Sequence, residues 1–127
     1  MESTTSALRW AILLMALNEE IQSRVRDEIW RVLGKDRAPS CADRSALKYS
    51  DAVLAEVQRF ASIVPLSIAH CVTVDCRLRE YTIPKGTIVT ANIYAAHHDP
   101  AIWPDPNRFN PDANFVKADA SGQIVGL

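Results

Sequence analysis

A glutamate and an arginine three positions apart, Glu56 and Arg59, have the spacing that puts both side chains on one face of a helix. On an exposed helix this spacing gives a weak surface ion pair that contributes little to stability. Val57 and Phe60 flank the two charges and indicate that the helix is mostly buried. A buried Glu–Arg pair is costly unless its hydrogen bonds are well formed, so the surroundings of the pair decide what it does.

Cysteines are a second possible source of chemistry, but their spacing argues against a metal site or a disulfide framework. Cys41, Cys71 and Cys76 form no C-x-x-C motif, and no histidine lies near them at zinc-finger spacing. An odd number of cysteines in this pattern makes a reducing compartment the default. We interpret the three side chains as small, partly buried hydrophobic residues.

Composition and charge exclude several classes of protein. The 127 residues carry 14 Lys and Arg against 15 Asp and Glu, with 48% hydrophobic residues. This balance argues against a nucleic-acid interface or a polybasic membrane patch, and it is an ordinary globular mixture. The length predicts one domain over 1–127. The longest apolar run, Trp10–Leu17, is too short to span a bilayer.

Helices are predicted in the first half of the chain. Leu8–Leu17 is apolar almost all round, which predicts a helix buried deep in a core. Asn18 offers a side-chain oxygen that could cap the start of a second helix. Gly34 is expected to end that helix. A third helix, with the glutamate–arginine pair, is predicted over Ser50–Phe60.

Extended structure is predicted after Pro65, where the helical period stops. Ser67–Val74 and Tyr81–Ile83 are the shorter strand candidates, and Thr87–Tyr94 is the best one because it is rich in Thr, Val and Ile. Closely spaced prolines after His97 predict an ordered coil. The predicted fold class is therefore mainly α with a small β-sheet, followed by a proline-rich coil.

Several short motifs follow one another in a fixed order along the chain. They are Glu56–Phe60, Ile63–Leu66, His70–Asp75, Tyr81–Thr87, His98–Pro100, Trp103–Pro106 and Phe109–Pro111. Together they resemble the cytochrome P-450 superfamily, the haem-thiolate monooxygenases, and most of all the microsomal animal branch that oxidises lipophilic compounds. The resemblance covers nearly all 127 residues and implies a partial cytochrome P-450 fold: the end of the distal helix, two further helices, short strands and the proline-rich coil.

For the glutamate–arginine pair, the resemblance implies a structural role. In the family this pair lies on the proximal side of the haem and locks the coil before the cysteine loop, and Glu56 and Arg59 match it. The family usually adds a basic residue from the segment that here spans Phe109–Phe115, which contains no arginine. Asn114 could accept or donate a hydrogen bond at that place but brings no charge.

His70 matches a family position that hydrogen-bonds a haem propionate. A histidine beside a carboxylate gains a charge-assisted bond, and the alternative is a solvent-facing or core histidine. Ile63, Val64, Leu66 and Ile68 match the family's loop and strand that line the substrate cavity. Ordinary core packing would explain these four apolar residues equally well. Val64 and Ile68 are the preferred candidates for ligand contact.

The N-terminal segment resembles the second half of the family's distal helix, which carries an acid followed by a threonine. Here the corresponding residues are Glu2 and Ser3, and the resemblance implies a catalytic role for both. The serine hydroxyl can hold a water by a hydrogen bond, and the acid can relay protons. The alternative is an ordinary capped helix start with a nearby acid.

The resemblance places the haem-ligating cysteine loop after Leu127, so no cysteine in this chain is a candidate iron ligand. It implies a monooxygenase that binds haem, receives electrons from an NADPH-dependent reductase and oxidises a lipophilic small molecule at the endoplasmic reticulum membrane. No nucleic-acid partner is expected. The alternative hypothesis is a truncated, non-catalytic remnant or a partner-binding fragment without haem. The isolated chain is expected to be inactive.

Overall fold

Helices account for most of the regular structure in the computed structural model, which describes residues 2–118 and 124–126. The α-helices within these ranges are α1 (Glu2–Leu17), α2 (Glu19–Leu33), α3 (Lys48–Ala61), α4 (Ile93–His97) and α5 (Pro111–Asn114), and a short 3₁₀ helix spans Cys41–Asp43. The strands are β1 (His70–Cys71), β2 (Cys76–Leu78), β3 (Tyr81–Ile83), β4 (Ile88–Val89), β5 (Lys117–Ala118) and β6 (Ile124–Gly126).

The strands form separate antiparallel pairs. Strand β1 pairs with β4, β2 with β3, and β5 with β6. In the first pair His70 lies opposite Val89, and in the second Arg77 lies opposite Thr82. The predicted fold class, mainly α with a small β-sheet, is confirmed, and the β component consists of two-stranded ladders.

The core lies where α1 and α2 pack against α3. It is formed by buried side chains from two of these helices and from the coil before α5: Leu14, Tyr49, Val53, Val57 and Phe109. The helix α3 is central because it contacts α1, α2 and α5. This position explains why α3 carries half of the buried residues that the structure describes, including two charged ones.

The prediction that the first helix is buried all round is wrong for the described chain. Leu14 is the residue of α1 that is buried, whereas Leu8, Ile12 and Leu17 are exposed. One face of α1 packs on its neighbouring helices, and the described residues leave the opposite apolar face uncovered. Of the described helices, none has both the length and the apolar character needed to cross a bilayer.

Asn18 does not cap the second helix as predicted. Its side-chain Nδ2 instead donates to the carbonyl oxygen of Leu14 at 2.8 Å, and α2 has no side-chain cap. Asn18 therefore closes the end of α1. At the other end, Gly34 terminates α2 as predicted, with φ of 75°, a backbone conformation that glycine adopts at little cost.

The strand predicted over Thr87–Tyr94 is shorter than expected, because only Ile88–Val89 pairs with a partner strand. The last two residues of the segment, Ile93 and Tyr94, belong to the helix α4. The side-chain oxygen of Asn92 accepts a hydrogen bond from the backbone N–H of Ala95 at 3.0 Å. This N-cap starts a helix despite the β-branched residues before it. The strand predicted at Tyr81–Ile83 is confirmed.

Candidate functional site

A buried ion pair on α3 forms the centre of the candidate site. Glu56 is 0% exposed and Arg59 is 1% exposed. Their side chains lie one helical turn apart and meet through two bonds, from Nε to Oε2 at 2.7 Å and from Nη2 to Oε1 at 2.9 Å. This bidentate geometry is the strongest form of a Glu–Arg contact.

Arg59 also holds the coil that follows α4. Its Nη1 donates to the carbonyl oxygens of His97 at 2.7 Å and Pro106 at 2.9 Å, and its Nη2 donates to that of Arg108 at 3.3 Å. A guanidinium has five N–H groups, and together with the two bonds to Glu56 every one of them has an acceptor. The buried charge is thereby fully hydrogen-bonded, and it fixes the path of the coil.

Glu56 binds the start and the end of α5. Its Oε1 accepts from the backbone N–H of Asn110 at 2.8 Å and from Nδ2 of Asn114 at 3.0 Å. The side-chain oxygen of Asn110 in turn caps α5 by accepting from Ala113 at 3.2 Å. Asn114 thus contributes a neutral donor to the cluster of Glu56, Arg59 and Asn114, which we call the ion-pair cluster.

Replacing Asn114 with aspartate is expected to destabilise the protein more than replacing it with alanine. Alanine removes one hydrogen bond, which costs about 1 kcal/mol. Aspartate places a second carboxylate against the buried Glu56 and costs about 2–3 kcal/mol. The free energy of unfolding from urea titrations of both variants measures the difference. The exposed Asn107→Asp serves as the matched control, and equal losses for the two Asn114 variants would contradict the contact.

A second buried carboxylate, Glu28, escaped the sequence analysis. Glu28 lies on α2 and caps the start of α3: Oε1 accepts from the N–H of Tyr49 at 2.8 Å, and Oε2 accepts from the N–H and the hydroxyl of Ser50 at 2.7 Å each. A negative charge at this end of a helix is favourable. Its position in the sequence could have indicated burial. Glu28 lies three residues after Val25 and four before Val32, on the apolar face of the helix.

Arg24 joins α2 to α5 at the edge of the same region. Its Nη1 and Nη2 donate to the carboxylate of Asp112 at 2.7 and 2.8 Å, and its guanidinium lies 4.1 Å from the ring centre of Tyr49. The hydrogen bonds that Arg24 donates to the carboxylate of Asp112 raise the pKa of Arg24. Burial raises the pKa of Tyr49 to about 12, so the phenol stays neutral while Arg24 stays charged.

A mostly apolar cleft of about 430 Å³ lies beside the ion-pair cluster. It is lined by residues from α1, from the end of α3 and the turn after it, and from α4: Ser3, Thr4, Ala7, Gln58, Ser62, Ile63, Val64, Ile93 and His97. Three of the predicted site residues, Ser3, Ile63 and Val64, therefore come together in one cavity. Sequence analysis missed His97, which no motif singled out.

Other predicted site residues lie outside this cleft. Glu2 lines a separate surface depression with Arg9, because consecutive residues of a helix point about 100° apart. Leu66 is 59% exposed and Ile68 is 74% exposed. His70 lies exposed on β1, and the described residues provide no hydrogen-bond partner for its imidazole. The roles assigned to these residues stay predictions.

The cysteines are exposed, so the prediction that they are partly buried is wrong. Cys41 starts the 3₁₀ helix, Cys71 lies on β1 and Cys76 lies on β2, where side chains of the short ladders face solvent. None of them lines the cleft. Over the described ranges, no group of three or more His, Cys, Asp or Glu side chains could hold a metal ion. The exposed imidazole of His70 could donate to a haem carboxylate, and this contact stays a prediction.

Comparison with known proteins gives a consistent result. The family model described as Cytochrome P450 matches residues 1–123. Cytochrome P450 2U1 of Bos taurus is 45% identical over 124 residues, which cover 98% of this chain and 22% of the relative. Cytochrome P450 2J2 of Homo sapiens is 49% identical over 111 residues, which cover 87% of this chain and 22% of the relative. The chain therefore spans about a fifth of the length of these relatives.

Proposed function

This chain belongs to the cytochrome P450 family, as the resemblance predicted, and from that premise we propose that it is a segment of a haem-dependent monooxygenase acting on lipophilic organic compounds. The observation that carries the proposal is the buried pair of Glu56 and Arg59, which the resemblance matches to the family's paired glutamate and arginine. The pair holds the carbonyls of the following coil at 2.7–3.3 Å. In the proposed enzyme, this coil leads to the loop with the haem-ligating cysteine, so the pair would help to position that loop.

Some residues of the chain would have a structural role, and others would bind the substrate. A thiolate-ligated haem, when bound, supplies the chemistry that inserts one oxygen atom from dioxygen into a C–H bond. Glu56 and Arg59 hold the coil and touch no reacting atom. Ile63 and Val64 exclude water from the cleft and pack against a lipophilic substrate.

Polar residues near the cleft would move protons and hold the haem rim. Ser3 lines the cleft, and its hydroxyl can hold a water through Oγ. Glu2, which lies outside the cleft, is proposed to relay protons to this hydroxyl through solvent. His70 would donate to a haem propionate from its exposed imidazole. Leu66 and Ile68 would contact substrate where further parts of the enzyme cover them.

The cellular setting of the proposed enzyme follows from family membership. Its electrons would come from an NADPH-dependent reductase, and its site of action would be the endoplasmic reticulum membrane. A near-neutral charge, with 14 basic against 15 acidic residues, supports a small-molecule substrate over a nucleic-acid one.

The proposal can be tested by exchanging this chain for the matching segment of Cytochrome P450 2U1 of Bos taurus, which is 45% identical. The chimera is expected to incorporate haem and, once reduced, to give the red-shifted Soret band of a thiolate-ligated carbon monoxide complex. The chain alone is expected to give no such band, because none of its cysteines lines the cleft.

Two results would count against the proposal. One is a folded chimera without haem, under conditions in which the unaltered relative incorporates it. The other is a thiolate-type band from the isolated chain, which would mean that an exposed cysteine binds the iron. The first result would favour the alternative that the chain is a non-catalytic remnant.

A further inference from the structure

His97 connects the ion-pair cluster to the cleft through both its backbone and its side chain. Its carbonyl oxygen accepts from Nη1 of Arg59 at 2.7 Å. Its Nδ1 lies 3.0 Å from the hydroxyl oxygen of Ser62, and that hydroxyl donates to the carbonyl oxygen of Arg59 at 2.8 Å. These three contacts form a closed ring between the end of α3 and the end of α4.

The contacts of Ser62 favour one tautomer of His97. A serine hydroxyl has a single hydrogen, and that of Ser62 has the carbonyl oxygen of Arg59 as an acceptor at 2.8 Å. When the hydroxyl donates there, its oxygen accepts from His97, and we assign the hydrogen of the imidazole to Nδ1. A neutral imidazole has one N–H, and Nε2 is therefore left with a lone pair. The described residues provide no donor to Nε2.

The surroundings of His97 keep this imidazole neutral. Burial lowers the pKa of His97, and the charge of Arg59 and the neighbouring His98 lower it further. These are the titratable groups that face it, from α3 and from the residue after α4. With the pKa below its ordinary value of about 6.5, the lone pair on Nε2 is present at neutral pH and is lost only on acidification.

We propose that the cleft selects lipophilic molecules that carry a hydroxyl or an N–H group. This group would donate a hydrogen bond to Nε2 of His97. This inference rests on the proposed function for the lipophilic character of the ligand. The cleft walls from Ala7, Ile63, Val64 and Ile93 are apolar and fit a hydrocarbon body. A ligand without a donor would bury the lone pair unmatched, which weakens its binding.

Two probes of nearly equal shape test the selection: 1-naphthol, which has a hydroxyl donor, and 1-methoxynaphthalene, which has none. Their dissociation constants are measured by NMR titration at pH 7.5 on the chimera described above, labelled with ¹⁵N at its histidines. We expect 1-naphthol to bind about three- to tenfold more tightly, the range of one net hydrogen bond. Long-range ¹H–¹⁵N spectra of His97 are expected to show the hydrogen on Nδ1.

Two histidine variants provide the matched comparison. In His97→Asn the amide can still donate to Ser62, but the acceptor at Nε2 is gone, so the two probes are expected to bind equally. His98 stacks on Tyr94 outside the cleft, and His98→Asn is expected to keep the full difference. Lowering the pH below the pKa of His97 is expected to abolish the difference in the unsubstituted chimera.

The outcomes separate this inference from the proposed function. If both probes bind equally to the unsubstituted chimera, the lipophilic cleft stands and the role of His97 is overturned. If neither probe binds to a chimera that incorporates haem, the inference is overturned while the proposed function stands. A hydrogen found on Nε2 would overturn the inference whatever the affinities are.

Discussion

Replacing Arg59 with alanine is expected to lower the free energy of unfolding by about 3–5 kcal/mol, the cost of leaving a buried carboxylate without its partner. Glu56 is fully buried, and water cannot substitute for the lost guanidinium. The carbonyls of His97, Pro106 and Arg108 lose their donor in the same step. Because a small domain is stabilised by only about 5–15 kcal/mol, this loss removes a large fraction of its stability.

Arg59→Lys separates geometry from charge. Lysine keeps the positive charge but presents three donors from one point, whereas arginine presents five in a planar fork. Lysine can therefore face Glu56 or the coil carbonyls, not all of them, and we expect a loss between that of alanine and zero. Urea denaturation measures both variants, with Arg108→Ala as the control, because only the backbone of Arg108 contacts the ion-pair cluster.

The chimera provides an independent measurement for Arg59. There, Arg59→Ala is expected to remove most of the bound haem, since the coil is no longer held by the guanidinium. Haem content near that of the unsubstituted chimera would contradict the positioning role. An unfolding free energy within about 1 kcal/mol of the parent chain would show that the pair contributes no more than an exposed ion pair does.

Spacing along the chain predicted the glutamate–arginine pair but not its partners. Residues three apart on a helix share a face whatever the fold is. The backbone groups that complete the ion-pair cluster come from His97, Pro106 and Asn110. These residues lie 38–54 positions after the side chains of Arg59 and Glu56 that they contact. Every residue has the same backbone groups, so sequence gives no sign of which carbonyl will meet a buried arginine.

The misassigned elements have local physical causes. Thr87–Tyr94 has β-branched residues typical of a strand, but the side chain of Asn92 caps a helix within it. The first helix was predicted to be buried because it is apolar all round, yet the described residues cover one face of it. The hydrophobic pattern of a helix shows which of its faces are apolar. It does not show which other part of the protein covers each face, because that depends on the tertiary structure.

Glu28 shows how a functional polar residue can be overlooked on an apolar stripe. A charged residue at such a position is usually taken as a tolerated exception, because long side chains reach solvent. Glu28 is instead 6% exposed, and its two oxygens bind the first N–H groups of α3. Since α3 carries the ion-pair cluster, the anchoring of its first turn by Glu28 bears on the geometry of the site.

Replacing Glu28 with alanine is therefore expected to cost about 2–4 kcal/mol, because a helix cap is lost and buried N–H groups are left without acceptors. Glu28→Gln is expected to be less damaging, since its amide oxygen still accepts from Tyr49 or Ser50 while its NH₂ group faces the other donor. The exposed neighbour Asp27→Asn is the matched control.

Hydrogen exchange distinguishes the loss of this cap from a general loss of stability. In Glu28→Ala the amides of Tyr49 and Ser50 are expected to exchange faster than the fall in global stability explains, whereas that of Arg59 follows the global change. A uniform acceleration along α3 would contradict a local cap. The first turn of α3 and the ion-pair cluster lie at opposite ends of one helix, so a frayed start shortens the helix without breaking the contact between Glu56 and Arg59. The roles of the two buried carboxylates can thus be measured separately. Glu28 holds the start of α3 on α2, and Glu56, with Arg59, holds the coil on α3.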